Sequence, residues 1–306
     1  MGLANFLFRH RSWDLKRSDI VLDIGSGNSP IMRANILVDK YIESDLERFE
    51  RIVIDRPLIC ADGEYLPFKD NSIDFIYCNQ LLEHVIDPKA FLDELQRVGK
   101  RGLITSINGD MERFYSDPIH LWMIWNDEGK LILKQKKEPI LYPELRGTIL
   151  KVVHAPGFWK FHERNFDLFN AVYYWNDKID YEIIEAEDFE LSLFEKGFKE
   201  HDESPTMRHI PFRHRIRSRI GKAIRSMISS PMDLNSILCC PLCKGDLTDY
   251  SPRHEKIECT GCGKVYEIRN GIPLMDIAVD DQMKKLMKVV ERRDANIRKP
   301  EDSRES

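Results

Sequence analysis

Residues 21–30 read VLDIGSGNSP, and this stretch decides the fold. Its first four residues have the apolar character of a buried strand with one acid, Asp23, and they run into Gly25 and Gly27. Glycine allows a sharp turn and lets a ligand approach the backbone, because no Cβ stands in the way. A strand that ends in such a loop places its ligand at the carboxyl edge of a parallel sheet. Taken alone, the stretch is typical of many nucleotide-binding proteins.

Further strand candidates follow, and an amphipathic helix is predicted over 87–98 from its Asp-Pro start signal. The short spacing between Gly27 and Asp39 leaves room for a turn plus about one helical turn over 28–34, which is less than the usual crossover of about 10 residues. The alternation of strands and connections predicts a doubly wound, Rossmann-like α/β sheet. Its other strands are predicted at residues 36–39, 58–63, 72–79 and 102–107.

The composition is that of an ordinary globular protein, with 306 residues, 42% hydrophobic and 32% charged, and a formal net charge of −5. This weakly acidic balance does not by itself demand nucleic acid or an anionic membrane as a partner. No apolar run approaches the roughly 20 residues that span a bilayer, so we expect no transmembrane segment. The start of the chain lacks signal-peptide features, and the cysteine usage fits a reducing compartment, so a cytoplasmic location is predicted.

Five of the seven cysteines cluster between residues 239 and 262. The motifs CPLC and CTGC lie fifteen residues apart, which is the spacing of a zinc ribbon. Four thiolates complete a tetrahedral shell, so the Zn²⁺ site is predicted to be structural and closed, with a pair of disulfides as the alternative. Cys239 is not expected to be a ligand. The predicted ligands are Cys240, Cys243, Cys259 and Cys262.

The strand pattern, the acids that end the second and third strands, and the run QLLEHV at 80–85 resemble a class I S-adenosylmethionine-dependent methyltransferase of the type 11 group. The resemblance covers about residues 18–110 and implies S-adenosylmethionine as the cofactor. It implies that Asp23 and the loop of Gly25 and Gly27 hold the methionine end. By the same resemblance, the ribose lies on Asp39, the adenine on Asp62 with Gly63 leaving room for the ring, and the transferring methyl faces Asn79.

Methyl transfer from a sulfonium is an in-line displacement, so a general base is needed only for an acceptor hydroxyl or a protonated nitrogen. The candidates for this acceptor-side role are His84, His120 and Tyr115. His84 has apolar neighbours and is equally well interpreted as a structural residue. His120 precedes a predicted β-hairpin over 121–134, whose turn lies at 126–129.

The segments LCCP at 238–241 and GKVYEIRNGIPLM at 263–275 resemble the small zinc-ribbon activator subunit of tRNA and translation-factor methyltransferases. That resemblance implies a ribbon that lies against a methyltransferase domain and stabilises it. We therefore expect an activator domain that docks in cis, held at high effective concentration by its tether. The alternative is a loosely tethered ribbon that binds something else.

The remaining organisation follows from changes in composition. A helix is predicted over 185–196. The basic segment 208–225 is interpreted as a contact for RNA, as an amphipathic segment that packs on the sheet or touches an anionic surface, or as a solvated linker. The predicted divisions are a leading segment at 1–17, a methyltransferase domain at 18–203 with an acceptor-side insertion at 108–185, a basic linker at 204–232, a zinc-ribbon domain at 233–279 and a charged tail at 280–306.

The sequence thus predicts a methyltransferase with a built-in zinc ribbon. Its methyl acceptor is left open between a glycan or small molecule and an RNA. Two alternatives from other classes are a non-catalytic scaffold that binds the cofactor, and a zinc-ribbon protein that binds nucleic acid or a partner.

Overall fold

The computed structural model of the chain describes residues 13–42, 52–187, 189–194 and 225–276. In chain order its elements are β1 (Val21–Ile24), β2 (Ile36–Asp39), β3 (Leu58–Cys60), β4 (Phe75–Asn79), a 3₁₀ turn (Leu82–His84), α1 (Pro88–Val98), β5 (Arg101–Ile107), α2 (Gly109–Tyr115), β6 (Trp122–Asp127), β7 (Lys130–Gln135), α3 (Pro143–Val153), α4 (Phe158–Arg164), α5 (Phe166–Phe169), β8 (Asn170–Asn176), β9 (Tyr181–Ile184), a second 3₁₀ turn (Leu234–Ser236), β10 (Lys256–Glu258), β11 (Val265–Arg269) and β12 (Ile272–Pro273).

A six-stranded sheet in the order β3-β2-β1-β4-β5-β8 lies at the centre of the molecule. The first five strands are parallel, and their nearly continuous burial is what a sheet covered on both faces requires. β8 runs antiparallel to β5 along its whole length. The predicted α/β fold is confirmed, while the predicted strands 58–63 and 72–79 are shorter, at Leu58–Cys60 and Phe75–Asn79.

The helical turn predicted over 28–34 is wrong, since this segment forms turns without a helix. Its carbonyl groups bond to a distant side chain: Arg56 Nη1 donates to Ile31 O at 2.6 Å and to Ala34 O at 3.0 Å. The Asp23 carboxylate accepts from Ile31 N at 2.7 Å. Because these partners satisfy the backbone from outside the segment, the short connection from β1 to β2 holds its shape without helical hydrogen bonds.

The helix α1 is as predicted from its start signal. The Asp87 side chain accepts from Ala90 N at 2.9 Å, which caps the helix. Its apolar face packs on the sheet through Phe91, Leu92, Leu95 and Val98, all of them buried. The helix therefore covers one face of the sheet beside β4.

The insertion after β5 contains the predicted hairpin, formed by the antiparallel pair β6 and β7. Its turn residues Glu128 and Gly129 have φ of 48° and 89°, which is the geometry of a two-residue type I′ turn. β9 pairs with β7 in parallel. Of the helix predicted over 185–196, helical geometry is present at 191–194. The described residues 185–187 and 189–190 are not helical. The rest of the predicted helix lies outside the described residues.

The C-terminal ribbon, described here as residues 233–276, is a small antiparallel sheet that continues the edge of the main sheet. Beyond its last strand, Leu274 bridges in parallel to Cys60, and Met275 N donates to Cys60 O at 2.7 Å. The ribbon thus contacts the outer edge of β3 at Cys60 and covers part of that edge. The ribbon therefore contacts the large sheet at the end of β3.

A second contact of the ribbon lies at the loop before β4. Phe68 bridges to Leu238 in antiparallel fashion, and Cys239 N donates to Pro67 O at 3.0 Å. Lys244 Nζ donates to Glu94 Oε2 on α1 at 2.9 Å. Leu238 and Phe68 belong to one continuous buried cluster, so the two parts of the chain share a core.

Arg225, the last arginine of the basic segment 208–225, is buried and bonds through Nη1 to Asp55 Oδ2 at 2.8 Å. The charge of Arg225 is thus already paired inside the chain, while contact of the basic segment with RNA or an anionic surface stays a prediction. The other residues of that segment lie outside the described ones. Within the described ranges, no helix combines the length and the apolar character that crossing a membrane requires.

Replacement of Phe68 by alanine tests the shared core. Phe68 is fully buried, so Phe68→Ala is expected to lower the free energy of unfolding by about 3–5 kcal/mol in urea titrations. The matched control is Phe161→Ala, because Phe161 is 53% exposed and its removal is expected to change stability by less than about 0.5 kcal/mol. Equal effects of the two substitutions would contradict the packing described for Phe68.

Candidate functional site

The glycine loop after β1 is built by backbone contacts with β2. Gly25 N and Ser26 N both donate to Val38 O, at 2.9 and 3.2 Å. Gly25 and Gly27 have φ of 67° and 48°, a region that favours glycine. A Cβ on Gly25 would also lie 2.9 Å from the Leu81 side chain, so close packing excludes a larger residue there.

The acid that ends β2 closes this loop. Asp39 Oδ2 accepts from Gly27 N at 2.9 Å, and Asp39 Oδ1 accepts from Tyr41 N at 3.1 Å. Asp39 therefore ties the end of β2 to the glycine loop. Asp23 is 2% exposed, and its carboxylate accepts from Ile31 N in the segment that follows the loop. The geometry therefore links both acids to the conformation of the loop.

The acid after β3 pairs with a neighbouring lysine. Asp62 Oδ2 lies 2.6 Å from Lys40 Nζ, and Asp62 Oδ1 accepts from Glu64 N at 3.0 Å. Burial lowers the pKa of Lys40, but the Asp62 carboxylate outweighs it and holds that pKa above its ordinary value. The next residue, Gly63, contacts a helix: a Cβ there would lie 2.4 Å from the Phe91 ring. Packing on α1 is thus one reason for glycine that the sequence did not reveal.

The hydroxyl of Ser26, in the glycine loop, fits a cofactor by its hydrogen bonding. The hydroxyl of Ser26 is buried and has no hydrogen-bond partner within the described part of the chain. A buried hydroxyl without a partner is costly, and the carboxylate or amine of a bound methionine group would satisfy it. At the end of β4, Asn79 Oδ1 accepts from Thr105 Oγ1 at 2.6 Å. The unpartnered Ser26 hydroxyl therefore suits the methionine end of S-adenosylmethionine.

A buried cluster of charged side chains lies beyond β4. It joins the 3₁₀ turn after β4 to α2 and to the segments on either side of the hairpin: Leu121 N donates to Glu83 O at 2.8 Å. His120 Nδ1 lies 2.7 Å from Glu112 Oε2, and Lys136 Nζ lies 2.6 Å from Glu112 Oε1. The His84 and His120 rings meet edge to face, with centroids 4.7 Å apart. Two of the three predicted acceptor-side residues are thus adjacent.

The electrostatics of this cluster follow from burial. Burial lowers the pKa of His120, but the Glu112 carboxylate outweighs it and raises that pKa to about 9. Burial also raises the pKa of Glu83, against the opposing effect of His120 and Ser106. The pKa of Tyr115, the third predicted residue, rises to about 12 because of burial and of Asp117.

Sequence reasoning missed Glu112 and Lys136. Both side chains are fully buried, and they come from different elements, α2 and the segment after β7. Because charged residues are almost never fully buried unless paired, their burial is informative in the structure. The sequence offered no signal for it, since an isolated glutamate in a helix and a lysine after a strand are ordinarily exposed.

The four predicted zinc ligands lie together, with their sulfur atoms within 4.8 Å of one another. The Sγ–Sγ distances are 3.8 Å for Cys240 and Cys262 and 3.4 Å for Cys243 and Cys259. Tetrahedral zinc with Zn–S bonds of about 2.3 Å requires about 3.8 Å between sulfurs. All four thiols are free, so the disulfide alternative does not hold.

The surroundings of the cysteines also suit zinc. Cys262 N donates to Cys259 Sγ at 3.4 Å, a contact that favours the thiolate. The Tyr266 hydroxyl lies 2.9 Å from Cys240 Sγ, where it can donate to a thiolate. Groups that hydrogen-bond to metal ligands orient them and tune the metal. Tyr266 was not singled out from the sequence.

Comparisons with known proteins agree with this geometry. Residues 22–105 match the family model described as a methyltransferase domain, and residues 233–271 match the model of Trm112p-like proteins. The uncharacterized protein MJ0638 of Methanocaldococcus jannaschii is 34% identical over 93 residues, which cover 29% of this chain and 40% of that protein. A UPF0434 protein of Hahella chejuensis is 45% identical over 42 residues, which cover 14% of this chain and 68% of that protein.

Among solved structures, a complex between the Haloferax volcanii Trm112 methyltransferase activator and the putative methyltransferase has a TM-score of 0.29 at 18% identity. The match covers 39% of this chain and 62% of that one. This chain spans well under half of the length of the curated relatives that match it first, at 40% and 22%.

The chain therefore carries a methyltransferase domain at residues 22–105 and a Trm112p-like domain at residues 233–271, whose four clustered cysteines fit a structural zinc ion.

Removal of one zinc ligand tests the ribbon. Cys259→Ser is expected to lose one equivalent of zinc relative to the unmodified protein, measured by metal analysis after dialysis. Because the ribbon shares its core with the large sheet, the melting temperature of the whole chain is expected to fall by about 10 °C. Cys239→Ser is the control, since Cys239 is a neighbouring buried cysteine outside the cluster. Unchanged zinc content in Cys259→Ser would refute the assignment.

Proposed function

We propose that the protein transfers the methyl group of S-adenosylmethionine to an acceptor that enters beside the insertion after β5. The observation that carries the proposal is the set of polar groups at the carboxyl ends of β1, β2 and β3, inside the segment that matches methyltransferase domains. The proposed units are a methyltransferase domain at 18–203 with the insertion at 108–185, a linker at 204–232 and a zinc-ribbon domain at 233–279.

The proposed cofactor contacts follow the order of the strands. Asp23 and the loop of Gly25 and Gly27 hold the methionine end, with the unpartnered Ser26 hydroxyl as a further contact. Asp39 accepts from the ribose hydroxyls, and Asp62 with Gly63 receives the adenine. Asn79, fixed by Thr105, faces the transferring methyl.

The chemistry needs little beyond alignment. An acceptor atom attacks the methyl carbon in line with the departing sulfur, and proximity alone supplies several kcal/mol of the barrier reduction. The protein's further task is to remove the proton of an acceptor hydroxyl or ammonium. His84, His120 and Tyr115 are the proposed acceptor-side residues, since the two imidazoles lie together in the turn region that follows Asn79.

The ribbon is proposed to act as an activator in cis. Its pairing with Cys60 and its contacts at Phe68 support this role, because they cover an edge and a loop on either side of Asp62. A tethered domain needs no separate association step, so its docking is independent of protein concentration. The ribbon would therefore stabilise the adenine side of the cofactor site.

Cofactor binding is expected to depend on the acid at the end of β2. Asp39→Asn is expected to weaken S-adenosylmethionine binding at least tenfold in calorimetry, because an amide cannot accept with both terminal atoms. Asp110→Asn is the matched control, since Asp110 is exposed on α2. An unchanged affinity in Asp39→Asn would exclude Asp39 as the ribose contact. Failure of the unmodified chain to bind either S-adenosylmethionine or S-adenosylhomocysteine would favour a scaffold without cofactor.

The acceptor class is tested by transfer of labelled methyl into a fractionated host extract, with Asp39→Asn as the blank. Label that nuclease removes would put the acceptor in RNA. Label that resists nuclease and partitions with glycan or lipid would put it in a surface polymer or small molecule. No label above the blank in any fraction would contradict the enzymatic proposal and leave a scaffold or a zinc-ribbon binding protein.

A further inference from the structure

We propose that Glu83, His84 and His120 bind a divalent transition-metal ion beside the end of β4, separate from the zinc of the ribbon. Each of the three residues offers one ligand atom, and these atoms lie within 4.8 Å of one another. Two imidazoles and one carboxylate are a common set for zinc, and related transition metals use it too. Three protein ligands leave a coordination position open for a substrate oxygen.

The backbone holds the three ligands in place without a metal. Glu83 and His84 belong to the 3₁₀ turn Leu82–His84, while His120 precedes β6. Two hydrogen bonds join these segments: Leu121 N donates to Glu83 O at 2.8 Å, and Trp122 Nε1 donates to Val85 O at 2.8 Å. A site with preset ligands pays little conformational entropy when the ion binds.

The Glu83 side chain is the observation that points to a ligand. It is fully buried, and neither of its carboxylate oxygens has a hydrogen-bond partner among the residues that the structure describes. A buried carboxylate without partners is strongly destabilising unless a cation neutralises it. A metal ion bound to Glu83 supplies that charge and occupies the open acceptor sites.

A second layer of contacts orients His120 for this role. Glu112 Oε2 lies 2.7 Å from His120 Nδ1, which leaves Nε2 for the ion. Glu112 is in turn fixed by Lys136, at 2.6 Å from its other oxygen. Metal-binding histidines almost always donate their second nitrogen to a carboxylate or carbonyl, and this arrangement matches that rule. Glu112 and Lys136 are therefore positioning residues.

The site opens toward the proposed acceptor. His84 is partly exposed, whereas Glu83 and His120 are buried, so an acceptor reaches the ion past His84. This part rests on the proposed methyl transfer. The oxygen of an acceptor hydroxyl binds the ion and releases its proton to water; it then bonds to the methyl carbon as the carbon–sulfur bond breaks and its electrons return to sulfur. The inferred acceptor class is thus an oxygen nucleophile that ligates a metal.

Binding of Mn²⁺ to the full-length, zinc-loaded protein tests the site directly. Mn²⁺ favours carboxylate and imidazole over thiolate, so the cysteine cluster does not compete for it. The loss of the electron paramagnetic resonance signal of free Mn²⁺ on addition of the protein is expected to correspond to one bound ion per chain. Glu83→Gln and His84→Ala are each expected to weaken this binding at least tenfold. Glu182→Gln, which changes an exposed glutamate on β9, is expected to leave it unchanged.

The His84→Ala variant keeps the test valid if Glu83→Gln fails to fold, because His84 is partly exposed and its removal leaves the Glu83 carboxylate in place. Absence of stoichiometric Mn²⁺ binding would overturn the proposal and indicate that a protonated His120 alone neutralises Glu83. Binding that both variants retain would also overturn it. The affinity for S-adenosylmethionine, measured on the same samples, is expected to be unchanged. A protein that binds Mn²⁺ but not S-adenosylmethionine would refute the proposed function and leave the metal site standing.

Discussion

The parallel arrangement of the central strands is the constraint on which the rest of the structure depends. Parallel strands bring their carboxyl ends to one edge, so residues far apart in sequence become neighbours there. In this protein that edge carries the glycine loop, Asp39, Asp62 and Asn79. The loop and its two acids are mutually fixed by hydrogen bonds, which means that the cofactor region is also a structural element of the sheet.

The buried cluster beyond β4 has a different physical basis, which is buried charge. Lys136, Glu112 and His120 form a chain of ion pairs, and Glu83 lies beside it without a hydrogen-bond partner of its own in the described structure. Removing charges from water is costly, and such a network persists only where geometry compensates for the loss of hydration. The cost is therefore concentrated in the cluster that is proposed to face the acceptor, and clusters of buried charge are often found at functional sites.

The sequence predicted those features that depend on local pattern. The glycine loop, the Asp87 cap, the hairpin turn and the cysteine spacing are each contained within a short stretch. The features it missed depend on contacts between distant segments. Arg56 replaces helical bonds in the 28–34 segment, Asp55 pairs with Arg225 across 170 positions, and β8 joins the sheet only after a long insertion. No periodicity in one segment reports a partner in another.

The pairing of Cys60 with Leu274 and Met275 has a consequence for cellular supply. Enzymes that rely on a separate accessory subunit draw on a common stock of it, and each competes with the others for that stock. Under the proposed activator role, a chain whose own ribbon occupies the contact at Cys60 is outside this competition, because its tether keeps that ribbon in place. Its active fraction would follow its own folding and its own zinc loading, whatever the abundance of free ribbon proteins around it.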